Sequence, residues 1–105
     1  MRAGLIERAA ARFALYDGVI MPTTPIVAPR IADLADDGAF TRTNLVALRN
    51  PTLINMIDGC AISLPIHHAG EAPVGLMLAG AGGSDRRLFE IAAGMEDLFA
   101  SASAR

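Results

Sequence analysis

A chain of 105 residues supports one domain, able to bury only about two-thirds of its unfolded surface. Hydrophobic residues make up 52% and charged residues 19%, which excludes intrinsic disorder and leaves apolar surface to be covered by another piece of protein. A net charge of −2, five aromatic residues and no apolar run near the ~20 residues of a membrane span argue against nucleic-acid and membrane partners.

All nine basic residues are arginine, and there is no lysine. The single cysteine, Cys60, has no intramolecular disulfide partner. Charges at Arg2, Glu7 and Arg8 stand where a secretory signal needs an apolar centre, so a cytoplasmic location is expected.

Residues 3–16 place Leu5, Ile6, Ala9, Phe13 and Tyr16 on one stripe, which predicts an amphipathic helix. Asp17-Gly18 ends it, with Gly18 expected at positive φ. A short buried strand follows over 18–21. The loop 22–29 carries Pro22, Pro25 and Pro29, so it is stiff and extended, and as a loop leaving a strand end it is a candidate pocket wall. Residues 30–43 read as a surface excursion with at most one helical turn, its acidic residues Asp33, Asp36 and Asp37 solvated. Residues 43–57 are helical, divided at Pro51, with Asn50 expected to cap the second piece.

The apolar runs 61–64 and 74–79 predict two strands covered on both faces, the first halted by Pro65. Gly80, Gly82 and Gly83 then form a tight turn into a helix over 85–99, with Ser84 as its cap and a fraying tail at 102–105. Such a succession belongs to a layered α/β fold.

Three groups invite a chemical reading. The glycines before the last helix suggest a phosphate cradle, but their spacing matches no nucleotide fingerprint and no lysine follows. His67 and His68, with Asp58, Cys60 and Glu71, suggest a metal cluster, but adjacent residues of an extended segment point apart, and loop histidines of a hairpin explain them better. Cys60 and Ser63 lie in a strand with no base partner evident in the sequence. No metal and no cofactor are expected.

The ordered motifs Tyr16-Asp17-Gly18-Val19-Ile20-Met21-Pro22-Thr23-Thr24-Pro25, Arg49-Asn50-Pro51-Thr52-Leu53-Ile54-Asn55, Gly59-Cys60-Ala61-Ile62-Ser63-Leu64-Pro65 and Ala72-Pro73-Val74-Gly75-Leu76-Met77-Leu78-Ala79-Gly80 resemble the C-terminal part of the amidase signature family. The family includes the glutaminase component of the glutamyl-tRNA amidotransferases. The resemblance runs from about Leu5 to Phe99. Many relatives carry Gly-x-Pro-Ala where this chain has Asp58-Gly59-Cys60-Ala61.

The resemblance implies amide hydrolysis or transfer by a Ser nucleophile, a second Ser in a cis peptide and a Lys base, with backbone donors forming the oxyanion hole. All of these belong to earlier parts of the family sequence. It therefore implies a partial mixed β-sheet with flanking helices, residues 1–105 forming one segment of a larger domain. No catalytic residue transfers. Pro22, Thr23, Thr24 and Pro25 are substrate-pocket candidates, and Arg49 and Asn50 are rim candidates. The expected partner is the missing N-terminal amidase portion, with a small amide substrate only in the complete enzyme. The alternative is a stand-alone α/β module that self-associates through its exposed sheet.

Overall fold

The computed structural model describes residues 1–103. Four helices, α1 (Arg2–Phe13), α2 (Asp37–Ala47), α3 (Arg49–Met56) and α4 (Asp85–Ser103), surround three strands, β1 (Val19–Pro22), β2 (Cys60–Pro65) and β3 (Gly75–Gly80). The class is a partial α/β fold. No described helix is long and apolar enough to cross a membrane.

The strand order is β1-β3-β2, and both ladders are antiparallel. The mixed character expected of the sheet is not seen within this segment, because β1 and β2 run in the same direction but are separated by β3. Val19 and Ala61 flank Ala79, while Met21 and Ser63 flank Met77. Pro22 and Pro65 close the two outer strands, where a missing donor faces away from the centre.

β3 is buried on both faces, as a continuous apolar run demands. Leu78 packs with Leu64, Leu88 and Ala92 beneath α4, and Met77 and Ala79 pack with Ile54 on the opposite face. β2 departs from that expectation: its α4 face is covered, but Ala61 and Ser63 are exposed on the other. Ile20 of β1, on the α4 side, is likewise open, because α4 packs chiefly on β2 and β3.

Several local expectations are corrected by backbone detail. Helix α1 stops at Phe13, three residues early, and Ala14–Tyr16 continue as turns. Gly18 does not have positive φ; a Cβ there would lie 2.7 Å from Leu78 Cδ1, so a larger residue would have to displace that side chain. The excursion at 30–43 holds a 3₁₀ turn, Ile31–Leu34, and then the start of α2, which Asp36 caps by accepting from the Ala39 amide at 2.9 Å. Asp33 pairs with Arg30.

Helices α2 and α3 abut at Leu48 for a reason Pro51 supplies. Its ring has no N–H for the Ala47 carbonyl and would collide with it in a continuous helix. Asn50 is not the cap of α3; Leu48 holds that position without a side-chain bond, which frees the Asn50 amide for another partner. The end of α3 is a Schellman motif: the Asp58 amide donates to Asn55 and the Gly59 amide to Ile54, with Asp58 at φ 55°. At the other turn, Gly83 takes φ 88° and the Ser84 amide donates back to Ala81, a glycine-requiring geometry. Ser84 accepts the first bond of α4, from Leu88, through its carbonyl. Of the tail expected to fray, residues 102 and 103 continue α4, and 104 and 105 lie outside the described residues.

The chain forms a slab measuring 46 × 43 × 16 Å, with a radius of gyration of 16.0 Å against about 13 Å for a compact domain of this length. Its accessible surface of 7544 Å² compares with about 5,600 Å² for a compact monomer of its mass.

Candidate functional site

The six pocket and rim candidates converge on one corner of the slab, where β1 leaves the sheet and α3 begins. Pro22 closes β1, and the Thr23 amide extends the ladder by one bond to the Gly75 carbonyl at 3.0 Å. The chain then turns away through Thr24 and Pro25, with Thr24 Oγ1 donating to the Ile26 carbonyl at 2.8 Å. Two side-chain bonds hold this loop to the rest of the molecule. Asn50 Nδ2 donates to the Pro22 carbonyl at 2.8 Å, and Thr23 Oγ1 shares a hydrogen bond of 2.5 Å with Ser63 Oγ. Arg49 Nε donates to Asn50 Oδ1 at 3.3 Å.

The Thr23–Ser63 bond spans the sheet. Thr23 follows β1 and Ser63 lies on β2, with β3 between them, so the two hydroxyls meet only because Gly75 has no side chain. A Cβ at Gly75 would lie 2.8 Å from Thr23 Oγ1 and collide with Ser63 Oγ. Pro22, Thr24, Pro25, Ile26, Val27, Val74 and Gly75 line a surface depression of about 210 Å³ beside this contact.

Sequence reasoning weighs Ser63 only as a nucleophile and assigns no role to Gly75. Their part in anchoring the loop depends on a register between segments 40 residues apart, and no local periodicity reports that. The one legible signal is the hydroxyl of Ser63 within an otherwise apolar strand.

The other candidates are brought to different places. Cys60 Sγ donates to the Ala81 carbonyl at 3.3 Å, between the turn after α3 and the turn before α4. Burial pushes the Cys60 thiol up, and the charge of Asp85 adds to this while the Ser84 amide opposes it. That is the setting of a neutral thiol, whereas a nucleophile needs a depressed value. His67 Nδ1 accepts from the Val74 amide at 3.2 Å, and the His68 amide donates to Glu71 Oε2 at 2.9 Å, so both residues shape the β2–β3 loop. Gly82 is needed where it is because a Cβ would lie 2.5 Å from the Asp58 carbonyl.

This corner presents the hydroxyls of Thr23, Thr24 and Ser63. Its hydroxyls bond to each other and to a backbone carbonyl, which fixes their positions but does not raise their nucleophilicity. Of the six candidate residues, Arg49 is the charged one.

The sequence profile of the Amidase family matches residues 1–89. The chain belongs to the amidase family. A relative from Comamonas testosteroni, named 2-amino-5-chloromuconic acid deaminase, is 35% identical over 102 residues. That match covers 92% of this amidase-family chain and 22% of the relative, so the chain spans about a fifth of the length of the curated relative it matches. No solved structure matches.

Proposed function

We propose that this chain is the C-terminal wall of an amidase-family enzyme that hydrolyses a carbon–nitrogen bond of a small substrate, and that it has no catalytic activity by itself. The observation carrying this reading is the half-finished sheet. One face is covered by α4 over β2 and β3, while the other exposes Ala61, Ser63 and part of the stapled Pro22–Pro25 loop, in a chain with about one-third more surface than its mass warrants. The excess is large enough for a substantial interface, since one partner in a standard complex contributes about 800 Å². The remainder of an amidase domain would cover it and supply the lysine that this sequence lacks.

The named chemistry of the Comamonas relative, deamination of an organic acid, supports a carbon–nitrogen bond as the point of attack. Residues 1–105 would then supply substrate contacts through Pro22, Thr23, Thr24, Pro25, Arg49 and Asn50, while proton transfer is performed by groups outside this chain.

The test compares ammonia release from a panel of small amides by the purified chain and by the complete protein that carries it. Release by the complete protein alone is expected. Hydrolysis by the purified chain that survives repurification and disappears in Ser63→Ala would overturn the wall reading.

A second reading is favoured by the two unpaired outer edges, β1 and β2: the chain self-associates through its sheet as an independent module. Sedimentation that finds only monomer at high concentration would eliminate it.

A further inference from the structure

Three described arginines meet carboxylates: Arg30 at Asp33, Arg86 at Glu90 and Arg87 at Asp17. Arg2 reaches the carbonyls of Asn55 and Met56. Arg8, Arg12 and Arg42 meet no carboxylate and make no side-chain hydrogen bond among the described residues, whereas Arg49 is tied to the loop through Asn50. Its Nε donates to the neutral Asn50 Oδ1, while Asn50 Nδ2 donates to the Pro22 carbonyl. The amide of Asn50 thus uses its acceptor to orient the guanidinium and its donor to hold the wall, and turning the amide over would oppose donor to donor and acceptor to acceptor.

This arrangement engages Nε and leaves the outer edge of the guanidinium, Nη1 and Nη2, without a protein acceptor among the described residues. No described carboxylate neutralises the charge. The neighbouring polar side chains have nothing comparable to offer, because Thr23 is engaged with Ser63 and Thr24 with the Ile26 carbonyl. A planar edge with parallel N–H donors matches the two oxygens of a carboxylate, and an ammonium would not reproduce that geometry.

We infer that Arg49 is a specificity residue that takes a substrate carboxylate on its outer guanidinium edge, with Asn50 as its positioning residue. The inference rests on reading the Pro22–Pro25 loop as a substrate wall. It narrows the substrate class to small amides or related carbon–nitrogen compounds that also bear a free carboxylate.

Binding of succinamate and of its methyl ester to the complete protein, measured by calorimetry with hydrolysis of both followed in parallel, separates the two claims. The acid is expected to bind about 10- to 100-fold more tightly than the ester. Arg49→Gln removes that preference and Arg49→Lys keeps part of it, the loss falling on the acid far more than on the ester in both. Equal binding of acid and ester, or equal weakening of both by Arg49→Gln, overturns the assignment. An Arg49-dependent acid preference without hydrolysis of either compound leaves Arg49 in its role and removes the amidase reading. Hydrolysis without an acid preference does the reverse.

Discussion

The two faces of the sheet are built from the same three strands and reach opposite outcomes. Under α4, Leu64 and Leu78 meet Leu88 and Ala92 in a closed apolar layer, extended by Ile62, Ile91, Met95 and Phe99. On the other face α3 supplies one buried side chain, Ile54, over Met77 and Ala79, with Met21 and Ile57 partly buried beside them. The α4 face holds the larger buried cluster; the other carries Ser63 and the loop bonded to it, which stay exposed.

Given that division, the largest effect on folding comes from the closed face. Leu88→Ala removes a side chain 3% exposed at the centre of the α4 layer and is expected to cost about 2–5 kcal/mol, read from the denaturant midpoint. A loss below ~1 kcal/mol would mean that the layer beneath α4 is not the principal core.

On the open face, Gly75→Ala is expected to cost about 1–3 kcal/mol, because the new methyl displaces the Thr23–Ser63 bond. Adding Ser63→Ala should recover part of that loss by clearing one of the two oxygens. Strict additivity in the double-mutant cycle would show that the contact across β3 does not couple the two residues.

The turn joining the two faces offers a smaller effect of opposite sign. Asp58 occupies the left-handed position of a Schellman motif at φ 55°, where glycine is the usual residue. Asp58→Gly is expected to stabilise the chain by about 0.5–1 kcal/mol, with the helix content of α3 unchanged. A destabilised variant would assign the Asp58 side chain a structural role that the turn geometry does not call for.

The smallest effect is a pH dependence at Cys60. Folding raises its thiol, chiefly by burial, so the unfolded chain gives up that proton at lower pH than the folded one. The stability contributed is fully present below the unfolded thiol's range and is lost as pH rises through the folded value. Cys60→Ala should remove that alkaline decline, and the rate of iodoacetamide labelling should rise at lower pH in urea than in buffer.

Much of the secondary structure is legible because periodicity is local. The stripe of Leu88, Ile91, Ala92, Met95 and Phe99 announces α4, and the unbroken run at 74–79 announces the strand covered on both faces that forms over Gly75–Gly80. The start of α2 is hidden because its hydrophobic pattern is weak, although Asp36 followed by Asp37 and Gly38 is a capping signal in its own right. Asn50 misleads for a related reason: its amide is chemically suited to a cap, and only the approach of Pro22, 28 residues earlier, gives it a different partner.

From the sequence alone come the family, through motifs in order, the arginine-only basic complement that leaves no lysine base, and the clustering of prolines that stiffens one loop. These depend on residue identity and short spacing. Folding in three dimensions decides which hydroxyls meet over Gly75, that Asn50 joins Arg49 to Pro22, and which face of the sheet stays open. The Thr23–Ser63 contact links segments 40 residues apart and is set by antiparallel register, which places side chains of separate strands on a common face, and the Asn50–Pro22 contact is set by how α3 packs beside β1.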